Sequence, residues 1–250
     1  MINLVKVEYR RLFRLWTVPL LLLLAAYLSY TMIDKVLAND ALPTYLLSGQ
    51  ATFANSFSAN SVIFGPVILA GFFLGSDYTQ RTLHQQIANG HSRKSIVFAK
   101  TIVYSSFSAF LLLLTPILTT VVVTKLRGWG EAFALADFLY ILRALVLVTL
   151  LNISVVSLFI LVSFICKDIP KTLIVSGLLI VILIELSGLF ADKSSYFADI
   201  YEYFPLQQMD VVAQIHLSAA QLYKALLSAF IFWGVSIGTT LFIFERQDLR

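Results

Sequence analysis

Three kinds of residue in this 250-residue sequence carry reactive chemistry: the histidines, one cysteine, and a few ionisable groups set in or beside long apolar runs. The histidines, His84, His91 and His216, have no spacing that puts two on one helix face with a carboxylate, and no HExxH stretch for a zinc protease occurs. Cys166 stands without a nearby His or second Cys, which excludes an intramolecular disulfide and a zinc site of the usual kind; it reads as a small apolar residue at a helix end. A GxSxG nucleophile turn and a GxxxxGK[ST] phosphate loop are both missing. The sequence therefore predicts no catalytic residue, no metal and no cofactor bound by this chain.

What remains is a polar, cation-rich island at 71–100, GFFLGSDYTQRTLHQQIANGHSRKSIVFAK. Asp77 and Arg81 stand at i and i+4, a spacing that lets them bridge on a helix. Asn89-Gly90 supplies a stop, since either residue takes the left-handed conformation that ends a helix, and Ser92 is placed to cap a restart. The island thus reads as a short helix, a tight turn and a new helix, a rigid contact surface. The competing reading is a solvated loop whose cations only set topology.

Two ionisable residues fall inside apolar runs, where a charge is expensive. Arg143 and Glu185 come at similar depth, so they are within reach of pairing as part of an outer gate; alternatively Arg143 snorkels to lipid headgroups without a partner. Asn152 reads as glue between helices, and Pro66 and Pro116 as kinks.

The elements that position these groups follow from composition. Hydrophobic residues make up 59% and charged ones 13%, with mean hydropathy +0.85; a soluble domain carries about 25% charged residues. This is an integral membrane protein. The net charge of +4 does not indicate nucleic acid, because the cations lie beside apolar runs, where inward-facing loops collect them. Six runs at about 17–33, 59–76, 96–123, 138–165, 172–189 and 225–244 each approach the roughly 20 residues needed to span as a helix, and their lack of alternation excludes a barrel.

Before them, residues 1–16 predict an amphipathic interfacial helix, with Ile2, Val5, Tyr9, Leu12, Phe13 and Trp16 on one face and Lys6, Arg10 and Arg14 in a ridge on another. A cleaved signal peptide is the alternative for this segment. With six spans, twelve of the 18 Lys and Arg fall on the side of the termini, which places both termini and the island (77–95) in the cytoplasm. Outside are expected a long polar loop at 34–57, a short one at 124–137 and an aromatic-rich segment at 190–223 containing Tyr196, Phe197, Tyr201, Tyr203 and Phe204. After Pro205 this segment reads as a short helix dipping into the outer interface. The expected architecture is an all-α, single-domain membrane protein of one interfacial and six transmembrane helices.

GSDYTQRT at 75–82, NGHSRK at 89–94 and Lys100 together resemble the cytoplasmic segment of type-2 ATP-binding-cassette (ABC) exporter permeases, and the resemblance extends to the topology of the whole chain. In that family Glu is commoner where Asp77 stands. The resemblance implies that Asp77, Arg81, Thr82, Ser92 and Arg93 belong to a coupling helix seated in a separate cytosolic ATPase subunit, which binds ATP and Mg. It also implies that the turn at 167–171, with Asp168 and Pro170, forms a smaller second contact; an ordinary turn before the fifth span is the plainer reading. The implied function is export of an amphipathic peptide, antibiotic or lipid-like substrate, with antimicrobial peptides first. It would be carried out with a second permease copy, identical or related, in the lipid bilayer of a bacterial cytoplasmic membrane. A non-transporting sensor or scaffold and a secondary transporter or intramembrane enzyme using Arg143 and Glu185 are the other classes.

Overall fold

Long unbroken runs of Leu, Ile, Val and Phe satisfy their backbone polar groups internally by coiling, and every regular element among the described residues is helical. The computed structural model describes residues 1–38, 48–57, 64–191 and 202–247, with the backbone alone at 186–191. In order come α1 (Ile2–Arg14), α2 (Thr17–Ala38), α3 (Gly49–Asn55), α4 (Phe64–Leu69), α5 (Ser76–Thr79), α6 (Thr82–Ala88), α7 (Arg93–Arg127), α8 (Leu135–Cys166), α9 (Ile169–Ala191), α10 (Pro205–Val212) and α11 (Ala219–Arg246). A π-helical stretch, Ala70–Gly75, joins α4 to α5 without a break. Among the described residues four helices, α2, α7, α8 and α11, are long and apolar enough to cross a membrane.

The centre of the bundle is α8, buried on most sides. Its Ser154, Ser157 and Ser163 are small enough to let neighbouring backbones approach, and its closest partner is α11. Along α2, Thr17, Val18, Leu21, Ala25 and Ser29 make one buried stripe against α7, leaving the rest of its surface exposed. One end of the bundle gathers α1, the island, the α8–α9 turn and the last turn of α11. At the other, the end of α7 meets the end of α2, where Arg127 donates to the Leu37 carbonyl at 2.9 Å.

Several boundaries differ from expectation for identifiable reasons. The segment at 34–57 is not simply a polar loop, since α2 continues to Ala38 and α3 packs on α7. There Phe53 meets Phe57 and Tyr140 edge-on at 5.0 and 5.6 Å, both phenylalanines being buried. The last helix starts at Ala219, ahead of the apolar run, because Ser218 and Gln221 form a reciprocal capping box. Helix α7 continues through Pro116, and the Thr119 hydroxyl donates to the Thr115 and Pro116 carbonyls at 2.9 and 3.1 Å. The helix expected after Pro205 is α10; Leu206, Met209 and Val212 seat it against α8 and α11. The start of the second expected span, at 59–63, and Tyr196, Phe197 and Tyr201 lie outside the described residues.

The π-helical stretch sets the island's position. Its two glycines, Gly71 and Gly75, lie one turn apart facing α9. A Cβ on Gly71 would come within 2.4 Å of Leu173 Cγ, and one on Gly75 within 3.2 Å of the Asp168 carbonyl oxygen. A side chain at either position would push on Leu173 or on the turn backbone, and with glycine at both the α8–α9 turn rests directly on the root of the island.

Candidate functional site

Four charged side chains meet where α1, α5 and α7 converge. Glu8 and Arg11 stand one turn apart on α1, Asp77 lies in the first turn of α5, and Lys100 is two turns into α7. Lys100 Nζ lies 2.8 Å from Glu8 Oε1 and 2.6 Å from Asp77 Oδ2, and Arg11 pairs with the other oxygen of Asp77. The order Glu8–Lys100–Asp77–Arg11 therefore alternates in sign and sums to zero. The side chains of Glu8, Asp77 and Lys100 are at most 2% exposed.

Isolated charges cannot be held so deep, and the lattice of bonds around the quartet explains how these are. Arg11 donates to Ser76 Oγ at 2.9 Å, Thr82 Oγ1 to Asp77 Oδ1 at 2.6 Å, and Gln86 Nε2 to Glu8 Oε1 at 2.6 Å. The Phe73 ring lies 6.0 Å from the Arg11 guanidinium and 5.7 Å from Lys100 Nζ, offering its π face to both cations. Burial alone would raise the Glu8 carboxyl, but the Lys100 ammonium, the bonds from Lys100 and Gln86 and the nearby Arg11 outweigh it. Together they hold Glu8 below the usual carboxylate range.

The expected Asp77–Arg81 bridge does not form. After α5 the chain closes tightly, with the Arg81 amide donating to the Tyr78 carbonyl at 3.2 Å, and Arg81 itself takes a left-handed conformation with φ 54°. That turn interrupts the helix on which an i, i+4 pair would face. Asp77 is left inside with partners distant in sequence, and Arg81 is exposed. Thr82 begins α6 and bonds Asp77. Ser92 caps α7, accepting from the Ser95 amide at 3.2 Å.

Arg93 turns away from the island. It donates to the carbonyls of Phe244, Glu245 (2.9 Å) and Gln247 (2.7 Å), satisfying the open C-terminus of α11. Tyr78 joins the same corner by donating to Gln247 Oε1 at 3.2 Å, and Gln247 in turn donates to the Phe164 carbonyl at 2.9 Å. Asp168 accepts from the Ile169 amide at 2.9 Å beside Gly75, and Pro170 is exposed in the first turn of α9. Lys6, Arg10 and Arg14 are all exposed on α1. The apolar face read from the sequence divides: Leu12 is buried in the protein, whereas Ile2, Phe13 and Trp16 face outward.

At the far end Arg143 and Glu185 do not form a pair among the described residues. Arg143 donates to the carbonyls of Gln214 and Ile215 at 2.6 and 3.1 Å just past α10, with its guanidinium 5.5 Å from the Tyr140 ring; Glu185 is exposed. The arginine fastens the end of α10 to α8, assisted by the Tyr140 hydroxyl, which donates to the Ala213 carbonyl at 2.6 Å. Asn152 is buried in α8.

Sequence reasoning counted Arg11 only as a topology signal, took Lys100 as a topology signal and as part of the resemblance, and passed over Glu8 and Gln86. Two signals were present: Glu8 is the single acid in α1 and falls at i+4 between Leu4 and Leu12, and Lys100 interrupts an apolar run. Among the described residues no group of His, Cys, Asp and Glu is arranged to hold a metal. Both carboxylates pair with cations from another element, and the quartet fastens α1, the island and α7 together. No protein-family model matches the chain, and no curated protein matches its sequence.

Proposed function

We propose that the chain is the membrane-embedded permease subunit of an ATP-driven exporter, with the island as its contact to a separate cytosolic ATPase. The observation that carries this reading is mechanical. Helix α6 and the turn before it expose Gln80, Arg81, Gln85 and Ala88 on the outer side, while Thr82 and Gln86 on the inner side bond the quartet that grips α1 and α7. A push on the outer side of such a knob is passed to two helices at once, and through Gly75 to the α8–α9 turn, which is what coupling to an external motor requires.

In this reading α4 to α5 and α9 add two crossings to the four long apolar helices, both termini face the cytoplasm, and the membrane is a bacterial cytoplasmic membrane. Two copies, identical or related, enclose the pathway for an amphipathic peptide, antibiotic or lipid-like substrate, and the partner binds and hydrolyses ATP with Mg.

The test is co-purification with the ABC ATPase encoded by a neighbouring gene, with its turnover measured on adding an amphipathic peptide. Capture that falls at least tenfold in an Arg81→Glu/Gln85→Glu double variant, with the folded protein still inserted, is the expected result. A stable complex without an ATPase, or undiminished capture by the double variant, refutes the reading. The first of those outcomes returns the chain to the class of membrane scaffolds.

A further inference from the structure

Helix α1 has three faces, not two. One, marked by Leu4, Glu8 and Leu12 with Arg11 beside them, is spent on the bundle. A second carries Ile2, Val5, Tyr9 and Phe13. Ile2 and Phe13 are 73% and 62% exposed, and Trp16, just beyond the helix, is 66% exposed. The third holds Lys6, Arg10 and Arg14 at i, i+4 and i+8, all exposed. At 100° per residue this cationic strip flanks the apolar face on the side away from the bundle.

No acid accompanies these cations on the helix, since the single acid of α1, Glu8, points into the protein and is bound to Lys100. A helix whose apolar face sinks into the acyl boundary holds such a flank at headgroup level, where its side chains snorkel to phosphates.

We infer that the Lys6–Arg10–Arg14 strip is a docking surface for anionic phospholipid headgroups, which it selects over zwitterionic ones. Because Glu8 and Arg11 on the same helix bind the island, the lipid bound there bears on the seating of the coupling knob. The inference rests on the membrane reading of the chain but not on its having an ATPase partner. Charge complementarity picks the occupant: three cations without a counter-ion among the described residues fit a negative surface, and their row runs along an element whose adjoining face is apolar.

Trp16 reports locally on the lipid beside α1. The full-length protein carrying Trp129→Phe and Trp233→Phe, which leaves Trp16 as its one tryptophan, is reconstituted in phosphatidylcholine. It is then titrated with brominated phosphatidylglycerol or brominated phosphatidylcholine, and the quenching of Trp16 is compared. Each cation at a membrane surface contributes about fivefold in affinity, so a preference for phosphatidylglycerol of at least that size is expected at low salt, shrinking as salt is raised. Lys6→Gln/Arg10→Gln/Arg14→Gln should bring the ratio to about unity while leaving Trp16 emission in pure phosphatidylcholine unchanged, which reports that α1 is still seated.

Equal quenching by the two lipids in the wild type overturns the inference, as does a preference that survives the triple variant. No quenching by either lipid overturns it together with the interfacial placement of α1. If the triple variant abolishes ATPase capture while wild-type quenching shows no lipid preference, the strip faces a protein and the inference fails. Loss of ATPase capture in the Arg81 and Gln85 variant has no bearing on the lipid ratio, so the two readings fail separately.

Discussion

Replacing Asp77 by Asn removes one charge from the buried quartet and almost nothing else. The amide is close in shape to the carboxylate, and its oxygen can still accept from Thr82. The change leaves Arg11 and Lys100 facing Glu8 alone, one uncompensated positive charge where the side chains of Glu8 and Lys100 are at most 1% exposed. Breaking a buried pair by deleting one partner costs about 3–5 kcal/mol. For a chain of this length each kcal/mol moves the midpoint by about 2–4 °C, so a fall of roughly 6–20 °C is expected.

Lys100→Met strands a carboxylate instead and should cost a similar amount. The Asp77→Asn/Lys100→Met double variant restores neutrality, with Glu8 facing Arg11, and should fall short of the summed losses by up to about 3 kcal/mol. Thermal unfolding of the purified protein in lipid nanodiscs, followed by tryptophan fluorescence, measures all three. If each single variant moves the midpoint by less than about 2 °C and the double is additive, the four charges are solvated and the quartet does not hold the island.

Arg81→Ala, which the sequence alone would make as damaging as a change at Asp77, should shift stability by less than about 0.5 kcal/mol, because the side chain is exposed and has no ion pair among the described residues; the same melting assay checks it. Arg93→Ala strips three carbonyls of a charged donor, at about 1.5–3 kcal/mol, and hydrogen exchange should speed up in the last turn of α11 before it does in α8. Arg143→Gln should loosen α10, seen as faster exchange at 205–213, whereas Glu185→Gln should leave that exchange unchanged; equal effects would revive the gate formed by that pair. Acid should weaken the grip on α1. The folded-state Glu8 carboxyl lies below its ordinary value of 4.5, so its contribution is complete above that pH and is lost as pH falls through the lower folded value. A Glu8→Gln variant should show a shallower acid loss in a pH series of melting curves.

Composition and periodicity alone determined that the chain is helical and apolar enough for a membrane, because hydrocarbon permits so few backbone solutions. Local chemistry determined the Asn89-Gly90 stop, the Ser92 cap and the short helix after Pro205, since each depends on residues within one turn of each other. The partners of Asp77 were beyond its reach. A spacing of four names a partner only while the helix continues, and the left-handed Arg81 ends it.

What placed Asp77 between Arg11 and Lys100 was the folding of α1 and α7 onto the island, bringing together residues 66 and 23 positions away. Arg93 was likewise drawn to the C-terminus of α11, and Arg143 to carbonyls beyond α10 and not to Glu185. Charges buried in an apolar bundle go to whichever opposite charge or open helix end the packing brings within about 3 Å, and sequence distance has no part in that choice.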